Sequence, residues 1–133
     1  MGDVQISEIG QIAVMVDDLD RAVGFYREKL GMRFLFQVPG MAFFDCGGVR
    51  LMLGVGEGEE REAGTSTIYY KVDDLEATYN ELTSRDVQFV EKPHLVARME
   101  DHELWMAFFH DSEGNLLALM LSLIHISEPT RLR

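Results

Sequence analysis

The chain has 133 residues, a hydrophobic fraction of 47% and a formal net charge of −11 at pH 7. The length suits one domain, and the apolar content is ample for a packed core, which argues against an intrinsically disordered chain. The acidic balance argues against a nucleic-acid partner, because phosphate binding depends on Lys and Arg side chains.

Cysteine content and hydropathy indicate where in the cell the protein is expected. Cys46 is the single cysteine, so neither an intrachain disulfide nor a thiolate metal cluster can form. No apolar run approaches the roughly 18 residues of a membrane span, and the N-terminus has no charged-then-apolar leader. We therefore expect a cytoplasmic protein with no membrane partner.

A short motif occurs twice and organises the chain. The tetrapeptide V-D-D-L begins at Val16 and begins again at Val72. Each copy follows an apolar, strand-like run and opens a helix-like run. Self-similarity at a long period indicates one supersecondary unit used twice.

The first module, residues 5–54, reads β-α-β-β-β. Its first strand covers Ile9–Val16, and its helix begins with Asp17 or Asp18 as N-cap and ends at Gly31. Turns at Pro39-Gly40 and Gly47-Gly48 separate three further strands, which are Met32–Val38, Met41–Cys46 and Val49–Gly54.

The second module, residues 65–121, repeats this order. It consists of strand Thr65–Val72, helix Asp74–Arg85 and strands Val87–Met99, Glu103–His110 and Leu116–Leu121. Residues 55–64, rich in Gly and Glu, are predicted to be an exposed linker between the modules. Residues 122–133 have no counterpart in the first module and resemble vector-encoded read-through, so we predict that they form a tail outside the fold.

Paired βαβββ modules with V-D-D-L at each strand–helix junction resemble the vicinal oxygen chelate superfamily. That group includes glyoxalase I, bleomycin-binding resistance proteins and extradiol dioxygenases. Three further stretches carry the resemblance, which covers about residues 5–121: F-Y-R-E-K-L-G-M at 25–32, G-V-R-L-M-L at 48–53 and D-S-E-G-N at 111–115. The resemblance implies a single α+β domain whose two βαβββ modules form a cupped, mostly antiparallel sheet, and it implies a homodimer. One such fold hosts many chemistries, so the activity stays open.

Strand parity predicts where a ligand binds. Side chains alternate between the two faces of a strand, and one set is almost uniformly large and apolar, as expected beneath a helix. The other set is mixed and predicts a small-molecule site lined by Gln11, Met15, Arg50, Met52, Thr67, Tyr69, Ala118 and Met120. Phe44 and Trp105 are candidate aromatic walls, and His94 and His102 are candidates for its rim.

The resemblance also bears on metal binding. In metal-dependent members, four ligands would fall on Gln11, Met52, Thr67 and Ala118. Met52 offers only a thioether and Ala118 offers no donor, whereas hard divalent ions need several oxygen or imidazole ligands. We therefore expect no metal and no cofactor at this position. A relocated site at His94 and His102 is disfavoured against a solvated hairpin tip, since no short ligand spacing is present.

Three functional hypotheses follow. The first, which we favour, is a metal-free protein that sequesters a drug-like or metabolite ligand, as bleomycin-binding resistance proteins do. The second is a glyoxalase-like lyase or isomerase, or another enzyme, that uses His94, His102 or Tyr69 as acid or base, or a relocated metal. The third is a protein that keeps the duplicated fold only for dimerisation. Global acidity favours a cationic ligand, whereas Arg50 and Lys71 favour an anion, so the sequence leaves the ligand charge open.

Overall fold

The computed structural model describes residues 4–56, 66–98 and 100–124, and the chain divides into two compact units, Met1–Arg61 and Glu62–Arg133. Each unit contains one four-stranded sheet and one helical segment. The predicted α+β fold with two βαβββ modules is therefore confirmed. Among the described residues, no helix is both long enough and apolar enough to cross a bilayer.

The first unit follows the order of elements that the sequence predicts. Strand β1 (Gln11–Val16) leads into helix α1 (Leu19–Gly24), which continues as a π-helical turn over Phe25–Lys29. Three strands follow: β2 (Arg33–Val38), β3 (Met41–Cys46) and β4 (Val49–Val55). The strand order is β1-β4-β3-β2, with β1 parallel to β4 and the other pairs antiparallel.

The second unit repeats this topology. Its elements are β5 (Ile68–Lys71), α2 (Leu75–Ser84), β6 (Phe89–Arg98), β7 (His102–His110) and β8 (Leu116–Ile124). The strand order is β5-β8-β7-β6, with β5 parallel to β8. Strand β8 runs three residues into the segment predicted to be a tail, and residues 125–133 lie outside the described residues. Most of the predicted linker, residues 57–65, also lies outside them.

The V-D-D-L motif recurs because its second aspartate caps a helix. Asp18 Oδ1 accepts a hydrogen bond from the Arg21 backbone N–H at 3.1 Å, and Asp74 Oδ1 accepts one from Ala77 at 3.0 Å. Both caps have extended backbone and satisfy one of the N–H groups that a helix leaves unpaired at its start. The motif thus fixes where each strand ends and each helix begins.

Glycines set the register of the first unit. Gly47 and Gly48 have φ values of +62° and +90°, as a two-residue type I′ hairpin requires. The hairpin pairs Cys46 with Val49, so every later pair of β3 and β4 is determined by counting outward.

One face of each sheet carries the helical segment and the core. In the first unit, Tyr26 and Phe44 are fully buried with ring centroids 6.1 Å apart. In the second, the ring of Phe89 lies 4.6 Å from that of Tyr79 on α2 and 5.1 Å from that of Phe109. We call this the helix face of a sheet, and the opposite one its open face.

We predict that Asp74→Ala lowers the free energy of unfolding by about 1 kcal/mol, because the first turn of α2 loses its cap. Urea denaturation measures the change. Asp73→Ala is the matched control, since it removes the neighbouring carboxylate but no capping hydrogen bond, and it should cost only a few tenths of a kcal/mol. Equal losses in both variants would show that the cap does not hold the helix start.

Candidate functional site

The open face of the first sheet has one polar row that crosses all four strands. Directly paired residues of neighbouring strands lie on the same face. The register pairs Gln11 with Arg50, Arg50 with Asp45 and Asp45 with Arg33. The row therefore carries two arginines, one aspartate and one glutamine.

The next rows of this face are apolar. Ala13, Met52, Phe43 and Phe36 form the first, and Met15, Gly54, Met41 and Val38 form the second. The rings of Phe36 and Phe43 stack with centroids 4.5 Å apart and planes 21° apart. The Arg50 guanidinium carbon lies 5.5 Å from the Phe43 centroid, so Arg50 of the polar row makes a cation–π contact with the stacked pair of phenylalanine rings.

A pocket of about 480 Å³ occupies the polar end of this face. It is lined by Gly10, Leu35, Phe36, Asp45, Gly48 and Arg50. Cys46 follows Asp45, and burial, together with the negative charge of Asp45, raises the pKa of its thiol. The thiol therefore stays protonated at neutral pH and is a poor nucleophile.

An aromatic cluster forms the open face of the second sheet. Ala118 is paired with Tyr69 on one side and with Phe108 on the other. The rings of Tyr69 and Phe108 meet edge to face, with centroids 6.0 Å apart, and Ala118 is fully buried. Tyr69 itself is 46% exposed. A small residue at position 118 thus leaves room for two rings, one of which faces solvent.

His94 extends this cluster. Its ring is stacked on Phe108, with centroids 6.3 Å apart and planes 30° apart. Its Nδ1 lies 2.7 Å from the Lys92 carbonyl oxygen, which can only accept, so Nδ1 carries the proton. Nε2 lies 3.4 Å from Glu91 Oε1. We call Tyr69, Phe108 and His94 the aromatic cluster.

The remaining predicted residues of the second unit lie around this cluster. Met120 pairs with Lys71 and Met106, and Lys71 and Met120 also line a pocket of about 430 Å³. Thr67 precedes β5 and is half-buried. His102 begins β7, and its Nδ1 lies 2.7 Å from Asp101 Oδ1. When Nδ1 donates to that carboxylate, Nε2 is left as an acceptor that could take a proton.

Two of the predicted aromatic walls lie on the helix faces. Phe44 pairs with Leu51 and its ring lies 5.5 Å from that of Phe34, inside the core of the first unit. Trp105 pairs with Leu121, and its indole N–H donates to Glu103 Oε1 at 2.9 Å. Both predictions of an aromatic wall are corrected by the strand register, since neither side chain is on an open face.

Tyr69 was predicted on the open face of the second unit, but three other aromatic side chains of the open faces were not assigned to the site by the sequence analysis. They are Phe36 and Phe43 in the first unit and Phe108 in the second. Hairpin counting could have found two of them. A Gly47-Gly48 turn pairs Phe43 with Met52, and the turn at 111–115 pairs Phe108 with Ala118.

The chelating positions do not fit a divalent metal. Gln11 and Met52 lie on the open face of the first sheet, and only Gln11 offers a hard donor. In the second unit, Thr67 offers a neutral hydroxyl and Ala118 a buried methyl group. Within residues 4–56, 66–98 and 100–124, no three His, Cys, Asp or Glu side chains are grouped closely enough to hold a metal ion.

Comparisons with known proteins agree on one family. A sequence profile of the Glyoxalase/Bleomycin resistance protein/Dioxygenase superfamily matches residues 8–119. The chain is 29% identical to the uncharacterized protein YraH of Bacillus subtilis over 126 residues, which cover 82% of this chain and 94% of that protein.

Solved structures show the same fold. A glyoxalase/bleomycin resistance protein/dioxygenase from Alicyclobacillus acidocaldarius matches with a TM-score of 0.72 and 22% identity, over 86% of this chain and 91% of that one. A lactoylglutathione lyase from Agrobacterium tumefaciens matches with a TM-score of 0.70 and 21% identity, over 87% and 94%. At these identities the likeness establishes the fold alone.

Truncating a side chain to alanine should destabilise the fold strongly on the helix face and only weakly on the open face. Leu119→Ala, on the helix face and 4% exposed, should lower the free energy of unfolding by about 2–5 kcal/mol, because it leaves a cavity in the core. Tyr69→Ala, on the open face, should cost less than about 1 kcal/mol. Chemical denaturation of the two variants checks this, and the reverse order of losses would contradict the assignment of faces.

Proposed function

Because the chain belongs to the Glyoxalase/Bleomycin resistance protein/Dioxygenase superfamily, we propose that it is a metal-free member that sequesters a small organic molecule on the open faces of its sheets. The ligand would be drug-like or a metabolite, as for bleomycin-binding resistance proteins. Sequestration needs affinity and no chemical step, so it does not require the chelating residues that this chain lacks.

The aromatic cluster is the observation that carries the proposal. Tyr69 and Phe108 of this cluster flank Ala118, which stands where the family resemblance would place a metal ligand. Replacing a chelating group with a methyl group converts a charged floor into an apolar one. Small-molecule sites are mostly apolar with a few placed polar groups, and this face has that character, with Lys71 and Glu91 beside the aromatic cluster.

The energetics favour a flat ligand. Tyr69 leaves nearly half of its surface exposed, and a ring packed against it would add about 0.5–1.5 kcal/mol beyond the burial of apolar area. Apolar area removed from water contributes about 25 cal/mol per Å². The first unit offers comparable surface, since Phe36 is 44% and Met15 40% exposed.

A thermal-shift screen of small aromatic compounds tests this function, followed by titration of the hits. Tyr69→Ala should weaken binding of the hits by about tenfold, because the stacking surface is lost. Tyr69→Phe is the control, since it keeps the ring and removes only the hydroxyl, and it should bind nearly as the parent does. Unchanged affinity in Tyr69→Ala would contradict the assignment of the cluster as a binding site.

A second candidate function is enzymatic, and the contact between His102 and Asp101 favours it. A carboxylate that accepts from Nδ1 holds the imidazole so that Nε2 can act as a general base. Asp101 is largely exposed, however, so water weakens this interaction. Recovery of a hit compound unchanged after prolonged incubation would favour binding, whereas conversion that His102→Gln abolishes would favour catalysis.

We also propose that the protein is a homodimer. Strands β2 and β6 are edge strands and carry exposed apolar side chains outside the apolar rows of the first sheet, among them Leu35, Val90 and Val96. Such edges are normally covered, and a twofold partner covers them symmetrically. Size-exclusion chromatography with light scattering should give twice the chain mass at micromolar concentration. A monodisperse monomer would refute the dimer.

A further inference from the structure

The open face of the first sheet changes character along its strands, and this determines which ligand it fits. The polar row of Arg33, Asp45, Arg50 and Gln11 lies at one end, and two apolar rows follow it. We propose that the ligand is an aromatic carboxylate whose carboxylate binds Arg50 and whose ring system packs on the apolar rows. This inference rests on the proposed function, which uses the open faces of both sheets, and it specifies the ligand class for the face of the first sheet.

Arg50 is placed to bind a planar anion. Phe43 supports one side of the guanidinium, and the side chain is exposed and lines the 480 Å³ pocket. A guanidinium that is stacked on a ring still presents its N–H donors in its own plane, where they match the two oxygens of a carboxylate. The pairing partner Gln11 adds an amide that can donate to the same group.

The spacing of the rows suits a ring attached directly to the carboxylate. Residues on one face of a strand are about 7 Å apart, since each residue advances the strand by about 3.3 Å. A group bound at Arg50 therefore puts an attached bicyclic ring over Met52 and beside Phe36. In the third row, the terminal methyl carbon of Met52 lies 3.4 Å from the place that a Cβ of Gly54 would take, so Met52 extends the apolar surface toward Met15 and Met41.

The local charge favours an anion although the whole chain is acidic. The polar row has two arginines and one aspartate, whereas the chain carries −11 overall. Charges farther away than about 8–10 Å are largely screened at physiological salt, so the contacts within the row dominate the bound state.

Three probes with the same ring system separate charge from ring packing. They are 2-naphthoate, the neutral 2-naphthamide and the cationic 2-naphthylmethylammonium, each titrated into the full chain and followed by NMR line shapes. 2-Naphthoate should bind about tenfold tighter than 2-naphthamide, and the cation should bind most weakly. Only the affinity of 2-naphthoate should fall as salt is added.

Substitutions assign the preference to the polar row. Arg50→Gln should bring the affinity of 2-naphthoate to that of 2-naphthamide and leave 2-naphthamide unchanged. Arg85→Gln is the matched control, because it makes the same change of charge on the second unit, where Arg85 pairs with Glu81 at 3.0 Å. Asp45→Asn should tighten 2-naphthoate binding several-fold, since it removes a negative charge beside Arg50 that repels the carboxylate of the ligand.

The outcomes distinguish this inference from the proposed function. Equal binding of all three probes, or a 2-naphthoate affinity that Arg50→Gln leaves unchanged, overturns the anionic ligand, while a loss of all three in Tyr69→Ala would still support the function. Tighter binding of the cation overturns it as well. If none of the probes binds at concentrations up to about 5 mM, both the inference and the function fail.

Discussion

The structure depends on one asymmetry: each helical segment covers only one face of its sheet. Because side chains alternate along a strand, covering one face sends every second residue into the core and leaves the others on the open face. Phe44, Leu51 and Leu53 therefore lie on the helix face, whereas their neighbours Phe43, Arg50 and Met52 lie on the open face, where Phe43 is itself only 9% exposed. The capping aspartates keep this arrangement, since they fix the point at which each chain segment leaves β1 or β5 to cross its sheet.

Duplication has given the two units one architecture and different chemistry. Phe43 and Phe108 hold corresponding places, each on the third strand of its module and each facing the open side. The neighbours of Phe43 are Phe36 and Met52, with Ala13 beyond, whereas Phe108 has Ala118, with Tyr69 beyond. In the first unit the large side chain is on the inner strand (Met52) and the small one on the edge strand (Ala13). In the second unit the order is reversed, with Ala118 on the inner strand and Tyr69 on the edge strand. In both units an open-face phenylalanine packs against a second aromatic ring, and neither unit offers the donor atoms that a metal needs.

The sequence predicted the fold and part of each open face, and particular residues show why the rest could not be predicted. Val16, Leu51 and Leu119 belong to alternating sets of large apolar residues whose neighbours form a mixed set, so the period-two alternation alone assigned their strands to the correct faces. Phe43-Phe44 and Phe108-Phe109 put aromatic residues on both faces at once, and periodicity cannot choose between them. Register decides, and register comes from the hairpin turns. Trp105 was misplaced for the same reason: it shares a face with Leu121, a fact that depends on the turn at 111–115.

The position of Asp45 bears on selectivity. A row with arginines alone would bind phosphate, sulfate and other small anions on charge alone. An aspartate between Arg33 and Arg50 lowers that charge, so the attraction left for a bare anion is modest. A ligand then needs the apolar rows of Met52 and Phe36 to reach useful affinity. A carboxylate without a ring lacks that packing, and a ring without a carboxylate leaves Arg50 unpaired. Selectivity for aromatic carboxylates therefore follows from the two halves of the face acting together, each too weak alone.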